Sequence, residues 1–312
     1  MKILVTGGAG FIGSHVVDLL INEKHDVVII DNLSGGKREN LNLKARFYNQ
    51  DLNNHPEIEK ILEKEKPEVV YHLAAQIDVR KSIEKPIFDA RENIINTLNL
   101  LDCCIKNKVK HFIFSSTGGA IYGDTKEIPT SEEHLENPIS PYGVAKLAIE
   151  KYLHFYKKTH GLKFTCLRYG NVYGPRQDSK GEAGVVSIFL NSMFSGQNPL
   201  IFGGIQTRDF VYVEDIARAN LLALKDEEGR IFNIGTSKET DIIEIFNKLN
   251  RYFNFKFVPE YREMRKGEQL KSCLSYDKAK NLLDWNPLTH LDDGLDKTYC
   301  WFLKERNSQA VR

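Results

Sequence analysis

The sequence predicts an α/β fold built on a doubly wound parallel sheet, and three observations support this prediction. Short apolar segments rich in β-branched residues alternate with segments of helical periodicity over the N-terminal half of the 312 residues. A glycine-rich turn joins the first of these strands to the first helix. Small, acidic and hydroxyl residues follow the strands, at the edge where open α/β sheets bind ligands.

Three glycines shape the turn between the first strand, residues 2–6, and a helix that extends through Ile21. They stand at positions 7, 10 and 13, in the spacing G-x-x-G-x-x-G. Such a turn lets the backbone approach a pyrophosphate and lets the helix pack closely on the strand. A glycine loop bounded by a strand and a helix at the N-terminus therefore predicts dinucleotide binding. The residues predicted to contact the cofactor here are Gly7, Gly10, Phe11, Ile12 and Gly13.

The second predicted strand, residues 27–30, ends at Asp31, 24 residues after the first glycine. A carboxylate here accepts hydrogen bonds from ribose hydroxyl groups and repels a 2′-phosphate. No basic residue follows immediately, although Lys37 and Arg38 come a few residues later. We therefore predict NAD rather than NADP as the cofactor, with Asn32 in the same site. A strand-end aspartate without a ligand is the alternative interpretation.

Four more strands are predicted at residues 46–49, 68–73, 111–114 and 164–169. Asp51 and Leu52, after the third strand, are predicted to lie near an adenine. Leu73 ends the fourth strand, and the small residues Ala74 and Ala75 that follow it let the backbone pass close to a dinucleotide, so all three are predicted to contact the cofactor. A long helix is predicted from residue 93 to residue 105. Asn93, at its start, either reaches the cofactor loop or lies on the helix surface.

Tyr142 and Lys146 lie one turn apart on one face if their segment is helical. A phenol has a pKa of about 10, and a nearby ammonium favours the phenolate and lowers that value. A base with a pKa near 7 works best at neutral pH, so the pair predicts an activated phenol. A tyrosine and a lysine that share a helix by chance are the alternative interpretation.

Hydroxyl groups at the end of the fifth strand provide a second part of this predicted site. Ser115, Ser116 and Thr117 follow that strand, and Thr117 precedes Tyr142 by 25 residues. A hydroxyl group there can hold a substrate oxygen in line with the Tyr142 phenol. Because such residues are also common in turns, a structural role is the alternative.

Charge and cysteine content exclude several classes of protein. The 43 basic and 42 acidic residues nearly balance, which argues against nucleic acid as a partner. The five cysteines form no C-x-x-C pair, so we expect reduced thiols, a cytoplasmic location and no metal site. No export signal and no 18-residue apolar span is present in the sequence, so we expect no membrane association.

Residues 6–13, Asp31, residues 115–117 and the Tyr142–Lys146 pair together resemble the extended short-chain dehydrogenase/reductase family. Further matches cover nearly the whole chain, and they are residues 72–75, Ser82, Pro86, residues 167–176, residues 208–215, Arg265, Gly267 and Glu268. Within that family the sequence is most similar to nucleotide-sugar 4-epimerases that act on UDP-glucose and UDP-galactose. The resemblance implies a Rossmann NAD domain with a smaller, interleaved α/β C-terminal substrate domain.

The resemblance also implies a reaction. NAD stays bound through turnover, and Tyr142 as a phenolate takes the proton of the sugar 4-hydroxyl while the C4 hydride moves to the nicotinamide. The 4-ketosugar then turns about its pyrophosphate and is reduced on its other face. Lys146 holds the nicotinamide ribose and lowers the pKa of Tyr142. Thr117 is expected to supply the hydroxyl group that aligns the substrate. Ser116 is the alternative, because the segment after the strand has one more glycine than in some members of the family.

The implied substrate site draws on both halves of the chain. Asn171 and Arg208 bind the phosphates of the nucleotide, and Arg265 is a second cationic residue that binds them. Residues 184–189 begin a helix that is expected to cover the uracil. A strand and turn at residues 199–204 are expected to line the base site, and an apolar strand and turn without a ligand is the alternative. The small Ser272 leaves room for an N-acetyl group. The complete expected set is Thr117, Asn171, Val186, Phe202, Arg208, Arg265 and Ser272.

Two interleaved domains are expected, one of residues 1–171 and about 211–235, the other of about 172–210 and 236–312. Further elements are predicted at residues 215–224, 231–235, 240–253, 275–283 and 291–303, with residues 307–312 frayed. In relatives, helices equivalent to residues 91–107 and 143–160 pair across a dimer, so the resemblance implies a homodimer.

Other activities of the same family are the alternatives. Residues 118–120 carry no acid or base beside the hydroxyls, so a dehydration or decarboxylation step is not expected. A UDP-glucuronate 4-epimerase, a UDP-GlcNAc-specific epimerase and a reductase remain open. A non-catalytic nucleotide-sensing protein would be expected to lack Tyr142 or Lys146, and both are present.

Overall fold

Strands and helices alternate along most of the chain, and the computed structural model describes residues 1–178, 184–226, 228–264 and 269–310. The strands are β1 (Lys2–Thr6), β2 (Asp26–Asp31), β3 (Arg46–Asn49), β4 (Val69–His72), β5 (His111–Thr117), β6 (Lys163–Tyr169), β7 (Asn171–Tyr173), β8 (Leu200–Phe202), β9 (Thr207–Arg208), β10 (Phe210–Tyr212), β11 (Arg230–Ile234), β12 (Thr240–Asp241), β13 (Glu260–Arg262) and β14 (Lys271–Ser272). The helices are α1 (Phe11–Asn22), α2 (His55–Glu65), α3 (Val79–Glu84), α4 (Pro86–Ala90), α5 (Asn96–Lys106), α6 (Gly118–Ile121), α7 (Pro141–His160), α8 (Val185–Phe194), α9 (Val213–Ala223), α10 (Ile242–Asn250), α11 (Asp277–Leu283) and α12 (Leu291–Ala310).

A seven-stranded sheet of order β11-β6-β5-β4-β1-β2-β3 forms the centre of the fold, and every neighbouring pair is parallel. Alternate residues of β1 point to opposite faces, so Val5 packs in a cluster with α1 and α9 while Leu4 packs in a cluster with α2 and α5. Apolar residues cover both faces, which explains the nearly continuous hydrophobic runs of these strands. The predicted doubly wound sheet is confirmed.

The direction of chain progression across the sheet reverses between β1 and β4. Ligands bind in the crevice outside the carboxyl ends of the strands at such a switch point. The glycine turn, Asp31 and the segment after β4 all lie at this edge. β5 runs three residues further than predicted and ends at Thr117, because its ladder with β6 continues to Tyr169.

The helix predicted to start at Asn93 differs from the observed one. The helical segment begins at Pro86, and a π-helical turn at Arg91–Ile95 joins α4 to α5. Asn93 lies in this turn and is buried. Its alternative interpretation as a helix-surface residue is therefore wrong.

The C-terminal part surrounds a separate hydrophobic cluster formed mainly by α8, α10, α12 and the β7–β10 pair. β12 pairs with β9, so the helix predicted from residue 240 starts at Ile242, where Asp241 caps it by accepting a hydrogen bond from the Glu244 amide. α12 continues to Ala310, so the fraying predicted from residue 307 is wrong up to that point. None of the helices in the described ranges is long and apolar enough to cross a membrane.

Candidate active site

The glycine turn after β1 has no room for side chains. A Cβ on Gly7, which has φ of +73°, would lie 2.7 Å from the Ala74 amide nitrogen, and one on Gly13 would lie 2.1 Å from the Gly7 carbonyl oxygen. The turn therefore brings β1, α1 and the segment after β4 into contact. Phe11 and Ile12 occupy the first turn of α1, where backbone N–H groups have no partner within the helix and favour an anion. This arrangement fits a dinucleotide pyrophosphate.

The Asp31 side chain is held beside this turn. Its Oδ2 accepts a hydrogen bond from the Ala9 amide at 3.0 Å, and its Oδ1 accepts one from the Leu33 amide at 2.8 Å. A carboxylate has about four acceptor positions, so the oriented group retains capacity for ribose hydroxyls. Next to it, the side-chain amide of Asn32 donates to Asp51 Oδ2 at 2.7 Å, which joins the ends of β2 and β3. Leu52 lies half-buried in the following turn.

The segment after β4 is fixed from two sides. The Leu73 and Ala74 amides donate to the Thr6 carbonyl and hydroxyl oxygens at 3.2 Å and 3.3 Å. Beyond Ala75, the Asn93 side chain accepts from the Gln76 amide and donates to the Gln76 carbonyl, both at 2.9 Å. Asn93 therefore holds the chain that borders the glycine turn.

Tyr142 and Lys146 lie one turn apart in the first two turns of α7. Ser140 caps this helix, its hydroxyl accepting from the Gly143 amide at 3.2 Å, and the Tyr142 amide donates to the Ser82 hydroxyl at 3.3 Å. The half-buried Tyr142 ring has its centroid 5.8 Å from the Lys146 Nζ atom. That Nζ donates a hydrogen bond to the Ser115 carbonyl at 2.8 Å, so the Lys146 side chain is fixed at the end of β5.

Lys146 is buried, with only 4% of its surface exposed, and burial changes its pKa. Desolvation lowers the pKa of Lys146 to about 8, and the negative charges of Asp89 and Glu150 oppose this effect. The ammonium form therefore still predominates at pH 7. A cation held this close to a phenol favours the phenolate.

The hydroxyls at the end of β5 point in different directions. Ser116 is buried and donates to Glu150 Oε1 at 2.6 Å, so it is turned away from the substrate side. The hydroxyls of Thr117 and Ser272 and the side-chain oxygen of Asn171 meet around Gly119, where a Cβ would have all three within 4.0 Å. The structure therefore does not support Ser116 as the aligning hydroxyl and leaves Thr117 in that position.

A buried charge network below α7 was not anticipated from the sequence. Glu150 and Arg168 are both 0% exposed and form two hydrogen bonds, of 3.0 Å and 2.6 Å. Arg168 also donates to Glu136 at 2.8 Å and to the Tyr122 hydroxyl at 2.7 Å. Two signals could have predicted it: Glu150 continues the four-residue spacing of Tyr142 and Lys146, and an arginine interrupts an apolar strand.

Asp209 is a further buried residue that sequence reasoning missed. Its Oδ1 accepts from the amide and hydroxyl of Thr236 at 2.7 Å and 2.5 Å, and its Oδ2 accepts from the Leu274 amide at 3.1 Å. Desolvation raises the pKa of Asp209, and these hydrogen bonds oppose the shift. The carboxyl group thus holds the chain near Ser272. The neighbouring Arg208 donates to the Thr207 and Leu270 carbonyls and is the register partner of Ser272.

The other residues predicted to bind substrate, which are Val186, Phe202 and Arg265, lie in different environments or outside the described residues. The Val186 side chain is fully buried in the cluster of the C-terminal part, so its predicted substrate contact is wrong for the side chain. Phe202 is half-buried on β8, beside β13. Arg265 lies outside the described residues. No group of three or more His, Cys, Asp and Glu side chains is placed to hold a metal ion in the part of the chain that is described.

Comparison with known proteins connects this geometry to one family. Residues 3–235 match the NAD dependent epimerase/dehydratase family. The crystal structure of a UDP-glucose 4-epimerase with UDP-glucose from Thermotoga maritima is 51% identical, with 98% of this chain and 100% of that chain covered and a TM-score of 0.96. A relative from Methanocaldococcus jannaschii, provisionally named a UDP-glucose 4-epimerase, is 46% identical over 98% of this chain and 99% of its own length. The Thermus thermophilus UDP-glucose 4-epimerase in complex with NAD is 38% identical, with coverage of 97% and 99% and a TM-score of 0.92.

Proposed function

The chain belongs to the NAD-dependent epimerase/dehydratase family, and on that premise we propose that it interconverts UDP-glucose and UDP-galactose by inverting the 4-hydroxyl group of the sugar. One observation carries this proposal. α7 places Tyr142 one turn from the buried Lys146, whose Nζ binds the end of β5. Thr117, at that end, meets two residues expected to bind the nucleotide sugar, Asn171 and Ser272. The full-length relatives described above support the same activity.

NAD is the cofactor, as the sequence predicts, and the glycine turn fits its pyrophosphate. The amides of Phe11 and Ile12 would face the phosphates, and Asp31 would accept hydrogen bonds from the adenosine ribose. Lys146 would hold the nicotinamide ribose. When bound, NAD supplies an acceptor for the C4 hydride and a donor that returns it.

The protein's own residues move the proton. The Tyr142 phenolate accepts the proton of the sugar 4-hydroxyl and, as the phenol, returns it after the sugar has rotated. The Lys146 ammonium favours the phenolate before the first transfer and after the second. Thr117 hydrogen-bonds the reacting oxygen and aligns it with the phenol. Residues 118–120 are Gly-Gly-Ala and supply no second acid or base, and Glu150 is engaged by Arg168. The reaction therefore reverses at the 4-ketosugar.

A substrate whose sugar must rotate to present its other face has to be held in place at its nucleotide end. We assign the pyrophosphate to Asn171 and Arg208, with Arg265 as a further cation, because charge-assisted hydrogen bonds hold a phosphate strongly while the sugar rotates. Phe202 is assigned to the base site. Arg208 and Ser272 are register partners on β9 and β14, so the proposed anchor and the proposed sugar site lie side by side.

The test of the activity uses the purified protein without added NAD. It is incubated separately with UDP-glucose, UDP-GlcNAc and UDP-glucuronate, and NMR scores inversion at C4. We expect inversion of UDP-glucose. Failure to invert UDP-glucose, or product formed only with stoichiometric consumption of external NAD, would contradict the proposal. Inversion of UDP-glucuronate alone would favour that alternative substrate.

Ser272 favours N-acetylated sugars as a second class of substrate. Its small side chain meets Thr117 and Asn171 around Gly119, where a larger residue would reduce the space for a 2-substituent. Replacing Ser272 with Tyr should abolish turnover of UDP-GlcNAc and spare UDP-glucose, as measured by kcat/KM for each. Ser272→Ala is the matched control and should preserve both activities. Equal loss of both activities in Ser272→Tyr, or no change, would contradict this role.

We also propose the two-domain division at 1–171 with 211–235 and 172–210 with 236–312. It is supported by β11, which joins the main sheet although it follows residues 172–210 in the chain. Truncation or limited proteolysis between the two parts would test it.

The free cysteines support a reducing, cytoplasmic location, which cell fractionation would test.

A homodimer is proposed through the surface formed by α4, the π-helical turn at Arg91–Ile95, α5 and α7. Apolar side chains are exposed there, with Ile87 at 79% and Ile95, Val144 and Phe155 at about half. An apolar patch of this kind is typical of a protein–protein interface. Light scattering should give twice the chain mass of 35.7 kDa, and a monomer would contradict the proposal.

A further inference from the structure

His72 is a buried imidazole to which the reaction above assigns no role. It ends β4, in which every residue is buried, and it is itself 2% exposed. Its ring stacks on the ring of Phe114, with 6.0 Å between the centroids. Burial of a polar ring is costly unless both of its nitrogens are hydrogen-bonded, and a phenylalanine would avoid this cost. The partners of the two nitrogens therefore indicate what a histidine does at this position.

Both nitrogens of His72 contact threonine hydroxyl groups. Nδ1 lies 2.8 Å from Thr6 Oγ1, and Nε2 lies 2.9 Å from Thr97 Oγ1. The Thr97 hydroxyl donates its single proton to the Asn93 carbonyl at 2.8 Å, so it can only accept from His72. Nε2 therefore carries a proton, and in the neutral ring Nδ1 accepts from the Thr6 hydroxyl.

The surroundings of His72 favour the neutral ring. The Lys146 Nζ atom lies 4.7 Å from the centroid of Phe114, the ring on which His72 stacks. Burial lowers the pKa of His72 to about 3, and the Lys146 charge contributes to this shift. A protonated imidazole would be a second buried cation in the neighbourhood of that ammonium. At pH 7 the ring therefore serves as one donor and one acceptor.

The hydrogen bonds continue beyond the two threonines and enclose the segment after β4. On one side, the Thr6 hydroxyl accepts from the Ala74 amide at 3.3 Å. On the other side, the Asn93 side chain accepts from the Gln76 amide and donates to the Gln76 carbonyl, both at 2.9 Å. Residues 74–76 thus complete a closed ring of hydrogen bonds, in which the imidazole links the two hydroxyl groups.

This ring of hydrogen bonds borders the cofactor site. A Cβ on Gly7 would lie 2.7 Å from the Ala74 amide nitrogen, so the glycine turn and residues 74–76 pack directly on each other. We propose that His72 is a positioning residue for the cofactor, which closes the ring that fixes residues 74–76 against the glycine turn and so slows the release of NAD. This inference rests on the proposed function, because a reaction with no net oxidation needs NAD to stay bound between turnovers.

NMR tests the hydrogen-bond pattern in the NAD-containing protein. Histidine is labelled with nitrogen-15, and the signals that are missing from His72→Phe identify the residue. We expect a neutral ring at pH 7 that is protonated at Nε2 and not at Nδ1, as measured by the nitrogen shifts and their couplings to the ring protons. A ring protonated at Nδ1, alone or together with Nε2, overturns the proposal.

The rate of NAD release tests what the ring of hydrogen bonds does. His72→Phe keeps a planar ring on Phe114 and removes both hydrogen bonds to the threonines. We expect NAD to leave this variant about tenfold faster, which corresponds to the net free energy of about one hydrogen bond. Release is followed by trapping free NAD with an excess of an unrelated dehydrogenase and its substrate. KM for UDP-glucose, measured with excess NAD, should be unchanged, because Asn171 and Arg208 lie on other elements.

His111→Phe is the matched control for the loss of a buried imidazole. His111 is 6% exposed, and its Nε2 lies 2.9 Å from the Thr165 hydroxyl oxygen, so a histidine–threonine contact is lost here too. The residue begins β5, at the edge of the sheet opposite the glycine turn. NAD release should therefore keep the wild-type rate. An equal acceleration in His111→Phe would attribute the effect to lost stability alone and overturn the proposal.

Thr97→Val provides a test that leaves His72 in place, in case His72→Phe does not fold. Valine has a similar shape and removes the acceptor for Nε2, so NAD should again leave faster. Adding His72→Phe should accelerate release no further than His72→Phe alone, because both changes break the same ring. Independent, multiplicative effects, or a wild-type rate of release in Thr97→Val, overturn the proposal. Absence of epimerase activity in the wild-type protein would reject the proposed function instead, and NAD release would still decide the role of His72.

Discussion

Replacing Tyr142 with phenylalanine should lower kcat about a thousandfold, because general acid–base catalysis typically contributes 10² to 10⁴ in rate. Phenylalanine keeps the ring that packs near Lys146 and removes only the oxygen that exchanges a proton with the sugar. NAD retention should not change, since the glycine turn and Asp31 lie on other elements. The rate is measured with UDP-glucose, and the NAD content is measured by absorbance after denaturation.

The same helix offers a control for this substitution. Tyr152 lies on α7 with 41% of its surface exposed, so Tyr152→Phe removes an identical oxygen away from the site. It should keep the wild-type rate. A Tyr142→Phe protein that turns over at the wild-type rate would rule out Tyr142 as the base. Loss of NAD together with the rate would indicate instead that the phenol contributes to holding the cofactor.

The Glu150→Ala protein should lose about 3–5 kcal/mol of unfolding free energy, which is the usual cost of leaving one partner of a buried ion pair uncompensated. Arg168 would remain fully buried with its main acceptor gone, and Ser116 would lose the oxygen to which it donates. Because Glu150 joins α7 to β5 and β6, the loss should also loosen the helix that carries Tyr142. Urea unfolding followed by circular dichroism measures the change.

Two comparisons separate the buried charge from the general effect of removing a carboxylate. Glu57→Ala breaks an exposed pair with Lys60 and should cost under about 1 kcal/mol. The double variant Glu150→Leu with Arg168→Met removes both charges and should recover much of the lost stability, because apolar residues of similar volume often replace a buried pair without cost. A Glu150→Ala protein as stable as Glu57→Ala would contradict the assigned role of the pair.

Local patterns were sufficient for much of the architecture. The ends of the strands around the switch point were predicted correctly or to within three residues, because each strand combines an apolar run with a turn or helix signal in the adjacent sequence. The C-terminal elements were less accurate at their ends. Residues 240–241 pair with β9, so α10 starts two residues later than predicted, and Arg306 donates to Asn191 and Ser195 in the part of α12 that extends beyond the predicted end.

Side-chain direction was the main source of error within the candidate site. Ser116 and Thr117 are adjacent and chemically similar, yet the alternation of β5 turns one toward Glu150 and the other toward Asn171 and Ser272. Val186 has the right place in the chain but lies in the core. Neither outcome is encoded in a short motif, because each depends on which face of an element is covered.

The sequence alone determined the parallel sheet, the glycine turn, the Asp31 position and the helical spacing of Tyr142 and Lys146, since these depend on conformational preferences and on periods of a few residues. Only the tertiary structure decided which hydroxyl faces the substrate and how Arg168 is neutralised. Those features join residues that are distant along the chain, from Glu136 to Arg168 and from Thr117 to Ser272. The physical reason is that burial and charge compensation are properties of the packed fold, so they become visible only when distant segments are brought together.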